Sequence, residues 1–247
     1  MPASLDPATL ELSDAELASA RNAGAAAGQE RARQRGIVSI DGQEFAADRD
    51  GYDAIIEHIN DSLRPDLLSV PLRAAPLAAM PNASSSGGGP GGGKGRSIRP
   101  TSLSKEQAAA IGLIGETVTY AWLGSHYGDQ FSPAGWKSSY RETIGEPPGD
   151  DTLGYDFEVV LKTRTVYFEV KATAGTDTAF ELGESEVGAA RDHAGSSRRA
   201  YWILFIVNAL DADRRGLFVL PNPMDPANQA FFRFPGSGLT CTFKLGG

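Results

Sequence analysis

Cysteine is almost absent from this sequence, and its scarcity excludes several classes of protein. The 247 residues include one cysteine, Cys241, so neither an internal disulfide nor a Cys-rich zinc site can form. The sequence also has no apolar run near the ~18 residues that would indicate a membrane-spanning helix. Its N-terminus is acidic and lacks the basic and apolar segments of a secretory signal. These absences predict a cytoplasmic protein that does not associate with membranes.

The chain also has fewer basic than acidic residues. The formal net charge is −8, and neither part of the chain is basic: residues 1–100 carry 10 Lys+Arg against 13 Asp+Glu, and residues 101–247 carry 13 against 18. This balance argues against a protein that coats nucleic acid by electrostatic attraction. It is compatible with a cluster of metal-binding carboxylates, because bound cations offset such a charge locally.

A Gly/Ser/Pro tract divides the chain. Residues 84–95 read SSSGGGPGGGKG, which is typical of a flexible linker. We therefore predict a small N-terminal module over residues 1–80, a linker over 81–100 and a larger domain over 101–247. Gly88, Gly93 and Lys94 match the spacing of a phosphate-binding loop, but Gly95 stands where that loop needs Ser or Thr, and no ATPase is predicted.

The N-terminal module is predicted to be mostly helical or α+β. Residues 13–35 suit a helix with a capping box, residues 37–47 suit a hairpin around an Asp-Gly pair, and residues 53–63 suit a second helix. Nothing in this module has catalytic spacing, and its role cannot be read from the sequence.

The C-terminal part alternates helix and strand patterns. A capping box from Ser104 to Gln107 opens a predicted helix over residues 105–125, with Ile111, Ile114, Val118 and Trp122 at helical spacing. Predicted strands at 155–161 and 165–173, a helix at 184–194 and a buried strand at 201–207 follow, with further strands at 216–220 and 239–245. This order predicts an α/β domain with a mixed sheet between helices.

One of these strands carries an acid and a lysine on one face. Because side chains alternate along a strand, Glu169 and Lys171 share a face, and the apolar Val166, Phe168, Val170 and Ala172 fill the other. Asp156 lies on the preceding strand. A tight hairpin around residues 162–164 would bring Asp156 close to Glu169.

This grouping suits phosphodiester hydrolysis. Cleavage by water needs a nucleophile at neutral pH and stabilisation of added negative charge, and divalent metals supply both. Mg²⁺, or Mn²⁺ in its place, prefers one or two carboxylates with water and phosphate oxygens. We expect Asp156 and Glu169 to bind the metal with the carbonyl of Val170. Lys171 would position or deprotonate the water, or neutralise the phosphate.

These residues resemble the PD-(D/E)XK, or restriction-endonuclease-like, nuclease superfamily. The wider resemblance is to the C-terminal domain of NO VEIN proteins, over about residues 104–225. It is carried by IGLIGE (111–116), GYDFEV (154–159), YFEVKAT (167–173), FELGESEV (180–187) and YWILFIV (201–207). Gly183 and Tyr155 depart from the common Ser and Pro of the family pattern.

The resemblance implies an αβββαβ core, DNA as substrate, Mg²⁺ as metal and a role in a restriction or phage-defence system. It also implies that Glu116, on the first helix, is a metal ligand or orients one. The expected protein partner is an ATPase or helicase, or another defence-system subunit, because a motor activity would have to come from a separate subunit. Cutting both strands of a duplex would favour a homodimer.

Other charged and aromatic residues have simpler interpretations. Glu186 lies three residues after Gly183, where a capping acid is expected, and we prefer this role to that of a metal ligand. Asp150 and Asp151 suit turns, with a peripheral metal ligand as the alternative for one of them. Arg191, Arg198 and Arg199 suit phosphate contacts and a solvated loop equally well. Trp136 and Trp202 are expected in the core.

The sequence favours a metal-dependent DNA endonuclease, and two alternatives stay open. One is a nuclease-like fold that binds nucleic acid or a protein partner without cutting. The other is a nuclease that acts on RNA or single-stranded DNA.

Overall fold

The computed structural model describes residue 34 and residues 36–80, 103–234 and 240–246. The predicted helix at 13–35 and the predicted linker at 81–100 therefore lie outside the described residues, apart from Gln34. The predicted hairpin is present as β1 (Ile37–Ile40) and β2 (Gln43–Ala46). Asp41 and Gly42 turn the chain with positive φ angles of 52° and 82°, as a type I′ hairpin turn requires.

Two helices follow the hairpin. Helix α1 (Tyr52–Asp61) buries Ile55 and Ile59, and the short α2 (Pro65–Leu68) buries Leu67. These buried side chains form part of a large hydrophobic cluster that includes Leu113 and Ile114 of the following helix.

Helix α3 (Lys105–Tyr127) begins at the predicted capping box. Ser104 Oγ accepts the Gln107 N–H at 3.1 Å, and Gln107 Oε1 accepts the Ser104 N–H at 3.0 Å. The predicted stripe is buried, and Ile114, Val118 and Trp122 have no exposed surface. The helix therefore packs its predicted face into the core.

A four-stranded mixed sheet lies against α3. It contains β3 (Phe157–Val160), β4 (Thr165–Ala172), β6 (Arg199–Val207) and β7 (Gly216–Pro221), in the order β3-β4-β6-β7. The β4–β6 pair is parallel and the other two pairs are antiparallel. This confirms the predicted mixed sheet, and the unbroken apolar run 201–207 forms a central strand.

The opposite face of the sheet is covered by α4 (Glu184–Asp192) and a second sheet. That sheet consists of β5 (Ala179–Glu181), β9 (Thr240–Phe243) and the short β8 (Phe232–Arg233), in the order β5-β9-β8. Cys241 is fully buried there, and burial raises the pKa of its thiol to about 12. The thiol is therefore a packing group rather than a reactive one.

The two faces of the main sheet have separate hydrophobic clusters. Val166, Phe168 and Val170 join the cluster of α3 and the N-terminal segment, whereas Ile203 and Phe205 join that of α4 and the second sheet. The predicted division at residues 81–100 falls outside the described part and stays a prediction. No helix among the described residues is long and apolar enough to cross a membrane.

Candidate active site

The β3–β4 hairpin places Asp156 beside Glu169. Phe157 pairs with Phe168 across the hairpin, and Asp156 immediately precedes Phe157. The carboxylate of Asp156 is fixed because its Oδ2 accepts the Val170 N–H at 2.7 Å. Asp156 and Glu169 both line one cavity, so the structure brings together the two predicted metal-binding carboxylates.

Lys171 lies between two glutamates. Its Nζ is 2.8 Å from Glu169 Oε1 and 2.7 Å from Glu186 Oε2. Glu186 Oε2 also accepts the Gly183 N–H at 2.9 Å, which is the expected capping contact of α4. Glu186 therefore links the start of α4 to the lysine on β4, a second role that the sequence pattern did not indicate.

Glu116 reaches the same cavity from α3. Gly115 allows this approach, because a Cβ at that position would lie 2.8 Å from Ala172 Cβ of β4. The side chain of Glu116 is buried, with 6% exposed, and its Oε2 accepts hydrogen bonds from Trp136 Nε1 at 2.5 Å and from Ser138 Oγ. Trp136 is in the core as predicted, but its bond to Glu116 was not foreseen.

The cavity has a volume of about 260 Å³. Its lining residues are Glu116, Ser138, Ser139, Tyr140, Asp151, Gly154, Tyr155, Asp156, Glu169 and Glu186. Asp151 accepts the Ser139 N–H at 2.7 Å and so joins two parts of the wall, whereas Asp150 accepts from Thr152 within a turn, as expected.

Gly154 brings the loop before Asp156 close to α4. It has a φ of 77°, and a Cβ there would lie 2.3 Å from the carbonyl oxygen of Ser185. The Gly154 carbonyl accepts the hydroxyl of Tyr201 from β6 at 3.0 Å. Only glycine fits both this backbone conformation and this contact, so Gly154 helps to fix the position of Asp156.

Burial raises the pKa of all three inward-facing carboxyls. For Glu116 the pKa rises to about 8, although the donors Ser138 and Trp136 oppose the shift. The pKa of Asp156 lies well above its usual range because of burial and the charge of Glu116. Burial and the charge of Asp156 do the same for Glu169. A cation in the cavity would relieve this repulsion.

Lys171 is held in its charged form. Burial alone would lower its pKa, but the carboxylates of Glu169 and Glu186 outweigh burial and raise the pKa above its ordinary value. Of the roles predicted for Lys171, this environment favours positioning or charge neutralisation over proton abstraction.

The carboxylates suit a hard cation with few protein ligands. Among the described residues, no group of three or more His, Cys, Asp or Glu side chains is arranged to hold a metal. Mg²⁺ commonly uses one or two carboxylates and completes its shell with water and phosphate oxygens. Asp156 and Glu169 fit that requirement. Val170 contacts Asp156 through its N–H, and ligation by its carbonyl stays a prediction, as does ligation by Glu116.

The fold and this site define a mixed α/β domain with a buried cluster of carboxylates and one lysine. Residues 135–220 match the family model described as Protein NO VEIN, C-terminal, which confirms the predicted family. This part of the chain is therefore similar to the C-terminal domain of NO VEIN proteins. The match includes Asp156, Glu169, Lys171 and Glu186 but not Glu116. No curated protein and no solved structure matches the chain.

Proposed function

We propose that the protein is a metal-dependent endonuclease that hydrolyses DNA phosphodiester bonds, with a restriction-endonuclease-like core, and that it acts in a defence or restriction system. The observation that carries the proposal is the convergence of Asp156 and Glu169 at one cavity, with Lys171 two residues further along β4. The resemblance of these strands to PD-(D/E)XK nucleases supports DNA as substrate and the defence setting.

Each residue of the site has a chemical task in this proposal. Asp156 and Glu169 bind Mg²⁺, which supplies a polarised water and compensates the charge that develops on the phosphate. Lys171 donates hydrogen bonds towards the reacting phosphate or the water, while Glu186 holds its ammonium in place. Trp136 and Ser138 hold the carboxyl group of Glu116 in place, and Glu116 in turn orients the carboxylates that bind the metal.

Plasmid cleavage tests this proposal. Purified protein is incubated with supercoiled DNA and Mg²⁺, Mn²⁺ or chelator. We expect metal-dependent nicking or linearisation, with a rate about 10²–10⁴-fold lower in Lys171→Ala. Lys171→Arg keeps the charge and should retain more activity. Lys105→Ala, an exposed lysine at the start of α3, is the matched control and should cleave like the wild type.

Metal titration separates a nuclease from a binding module. Asp156→Asn is nearly isosteric and should lose Mn²⁺ binding and cleavage together. The control Glu158→Gln lies on the same hairpin, where Glu158 pairs with Lys137 at 3.0 Å and does not line the cavity. Cleavage that survives in Lys171→Ala and Asp156→Asn would refute this active site. DNA binding without cleavage by the wild type would instead favour the binding module.

A panel of duplex DNA, single-stranded DNA and RNA identifies the substrate. Preferential cleavage of RNA or single strands would replace the DNA-duplex proposal without moving the site.

A further inference from the structure

A second cavity of about 370 Å³ lies where β6 begins. Strand β7 ends at Pro221, opposite Trp202, so the first residues of β6 have no strand partner on that side. The cavity lies at this opening. Its lining residues are Ala74, Ala75, Leu77, His193, Gly195, Ser196, Arg199, Ala200, Tyr201, Trp202, Pro221, Asn222, Asp225, Asn228 and Phe231.

Three exposed arginines without ion pairs, Arg164, Arg198 and Arg199, lie at the end of the sheet where β6 begins, and Arg199 lines the cavity. Thr165 pairs with Arg199, and the Thr165 N–H donates to the Arg198 carbonyl at 2.9 Å, so the backbones of Arg164, Arg198 and Arg199 lie at the same end of the β4–β6 pair. Within the described ranges, none of these three guanidinium groups has a carboxylate within ion-pair distance. In contrast, Lys137 and Lys171, nearer the catalytic cavity, are paired.

The one acid that lines the cavity is already engaged. Asp225 Oδ2 accepts the Gly195 N–H at 2.9 Å, and Asp225 Oδ1 accepts the Ala227 N–H at 2.9 Å. The carboxylate of Asp225 is thus held by backbone N–H groups and makes no ion pair with Arg199, so the Arg199 guanidinium is available to an anion in the cavity.

His193 adds a neutral donor. Its Nδ1 is buried and has no hydrogen-bond partner within the described part of the chain, and a neutral imidazole carries one N–H that can donate to a ligand. Burial and the charge of Arg199 both lower the pKa of His193, so the imidazole is neutral at pH 7. His193 and Arg199 both line the cavity.

A series of rings joins this cavity to the catalytic one. His193 stacks on Tyr167 with centroids 4.2 Å apart and an interplanar angle of 5°, and Tyr167 contacts Tyr155 at 4.7 Å. Tyr155 lines the catalytic cavity. Along β4, Thr165 and Glu169 are separated by about 13 Å, which matches the axial rise of about four base pairs.

We propose that the cavity at the start of β6 is a phosphate subsite for the nucleic-acid strand whose scissile bond lies in the catalytic cavity. Arg199 contacts a backbone phosphate, Arg198 contacts a neighbouring phosphate, and His193 donates a hydrogen bond. The planar guanidinium group suits phosphate because it can donate two parallel hydrogen bonds. This subsite rests on the proposed nuclease function and names where its substrate lies.

The test is binding of a labelled 20-base-pair duplex and its single strand, measured by fluorescence anisotropy in chelator at several salt concentrations. The slope of log K against log salt is negative, and each lost phosphate contact reduces its magnitude by about 0.9 for duplex DNA. We expect a decrease of about one in Arg199→Ala and about two in Arg198→Ala/Arg199→Ala. Lys105→Ala removes the same charge on the opposite side of the sheet and should leave the slope unchanged.

His193→Phe isolates the neutral donor. It keeps the ring that stacks on Tyr167 but removes the N–H, so affinity should fall several-fold with an unchanged salt slope. Melting curves of all variants show whether they fold.

The two proposals fail differently. If the wild type binds and cleaves DNA but the arginine variants keep its salt slope, the subsite is refuted and the nuclease proposal stands. If the wild type binds neither duplex nor single strand, the subsite is also refuted. The nuclease proposal is refuted by a different result, which is that the wild type does not cleave plasmid DNA.

Discussion

Glu116 has an unusual position for a helix glutamate. Its carboxyl group is buried against Trp136 and Ser138 and faces the carboxyl groups of Asp156 and Glu169. With one lysine among them, these acids favour their protonated forms when no cation is present. Metal binding and proton release are therefore linked at this site.

This linkage predicts a stability profile in pH. The unfolded chain ionises Glu116 near its ordinary pKa of 4.5, whereas the folded protein keeps the proton up to about pH 8. The unfolded state binds fewer protons across this window, so the stability contributed by protonated Glu116 is complete below pH 4.5 and is lost as pH rises through 8. In chelator, the melting temperature should fall by roughly 5–10 °C from pH 5 to pH 8.

Differential scanning fluorimetry measures this profile. In Glu116→Gln the melting temperature should fall less between pH 5 and pH 8, because glutamine does not titrate. Added Mg²⁺ or Mn²⁺ should reduce this fall further, because a bound cation favours the ionised carboxylates. A melting temperature that rises over this window in chelator would contradict the prediction.

At the scale of elements, the contact between α3 and β4 sets the distance between Glu116 and the strand carboxylates. Gly115 lies at this contact. The Gly115→Ala methyl group would collide with Ala172 and crowd Val170, and should destabilise the protein by about 1–3 kcal/mol and lower cleavage.

Gly124→Ala is the matched control in the same helix. A Cβ at Gly124 meets nothing within 4 Å, and alanine is a better helix former than glycine, so this variant should be stabilised by up to about 1 kcal/mol. Urea unfolding of both variants gives the comparison. If Gly115→Ala and Gly124→Ala change the free energy of unfolding equally, α3 and β4 are not tightly packed at Gly115.

The sequence predicted the elements whose patterns are local. The helix expected over 105–125 is Lys105–Tyr127, and the strands around Asp156 and Glu169 form the expected hairpin. Strand β5 and the pairing of β5, β8 and β9 were missed, because these strands are short and gain their stability from each other across distant parts of the chain.

The site was predictable to a similar extent. Alternation along β4 placed Glu169 and Lys171 on one face, whereas the bonds from Trp136 and Ser138 to Glu116 come from a loop without periodicity. A capping acid at position 186 was expected, but its contact with Lys171 depends on how α4 packs on the sheet. Such contacts between distant residues cannot be read from spacing.

At the scale of the whole molecule, one hydrophobic cluster includes Ile55 and Ile59 of the N-terminal segment and Phe168 of the main sheet. Because the cluster is continuous, the described part of the N-terminal segment should unfold together with the rest. All three tryptophans lie in the C-terminal part, and Trp122 Nε1 donates to the Val70 carbonyl at 2.9 Å, so their fluorescence follows the unfolding of that part and of its contact with the N-terminal segment.

Ile59→Ala tests this prediction. It removes a fully buried side chain and should cost about 2–5 kcal/mol, with a lower melting temperature by both tryptophan fluorescence and far-ultraviolet circular dichroism. Val160→Ala is the control, since Val160 is 66% exposed. If the melting temperature by tryptophan fluorescence is the same in Ile59→Ala as in the wild type, residues 36–68 form an independently folding module.

The hydrogen bond from Trp136 to Glu116 has an optical consequence. The indole N–H touches the carboxylate whose charge changes when a cation or a proton enters the cavity, so the electric field across that ring changes with it. The emission of Trp136 should respond accordingly, and a variant that retains only this tryptophan would turn the protein into an unlabelled spectroscopic sensor of its own cavity.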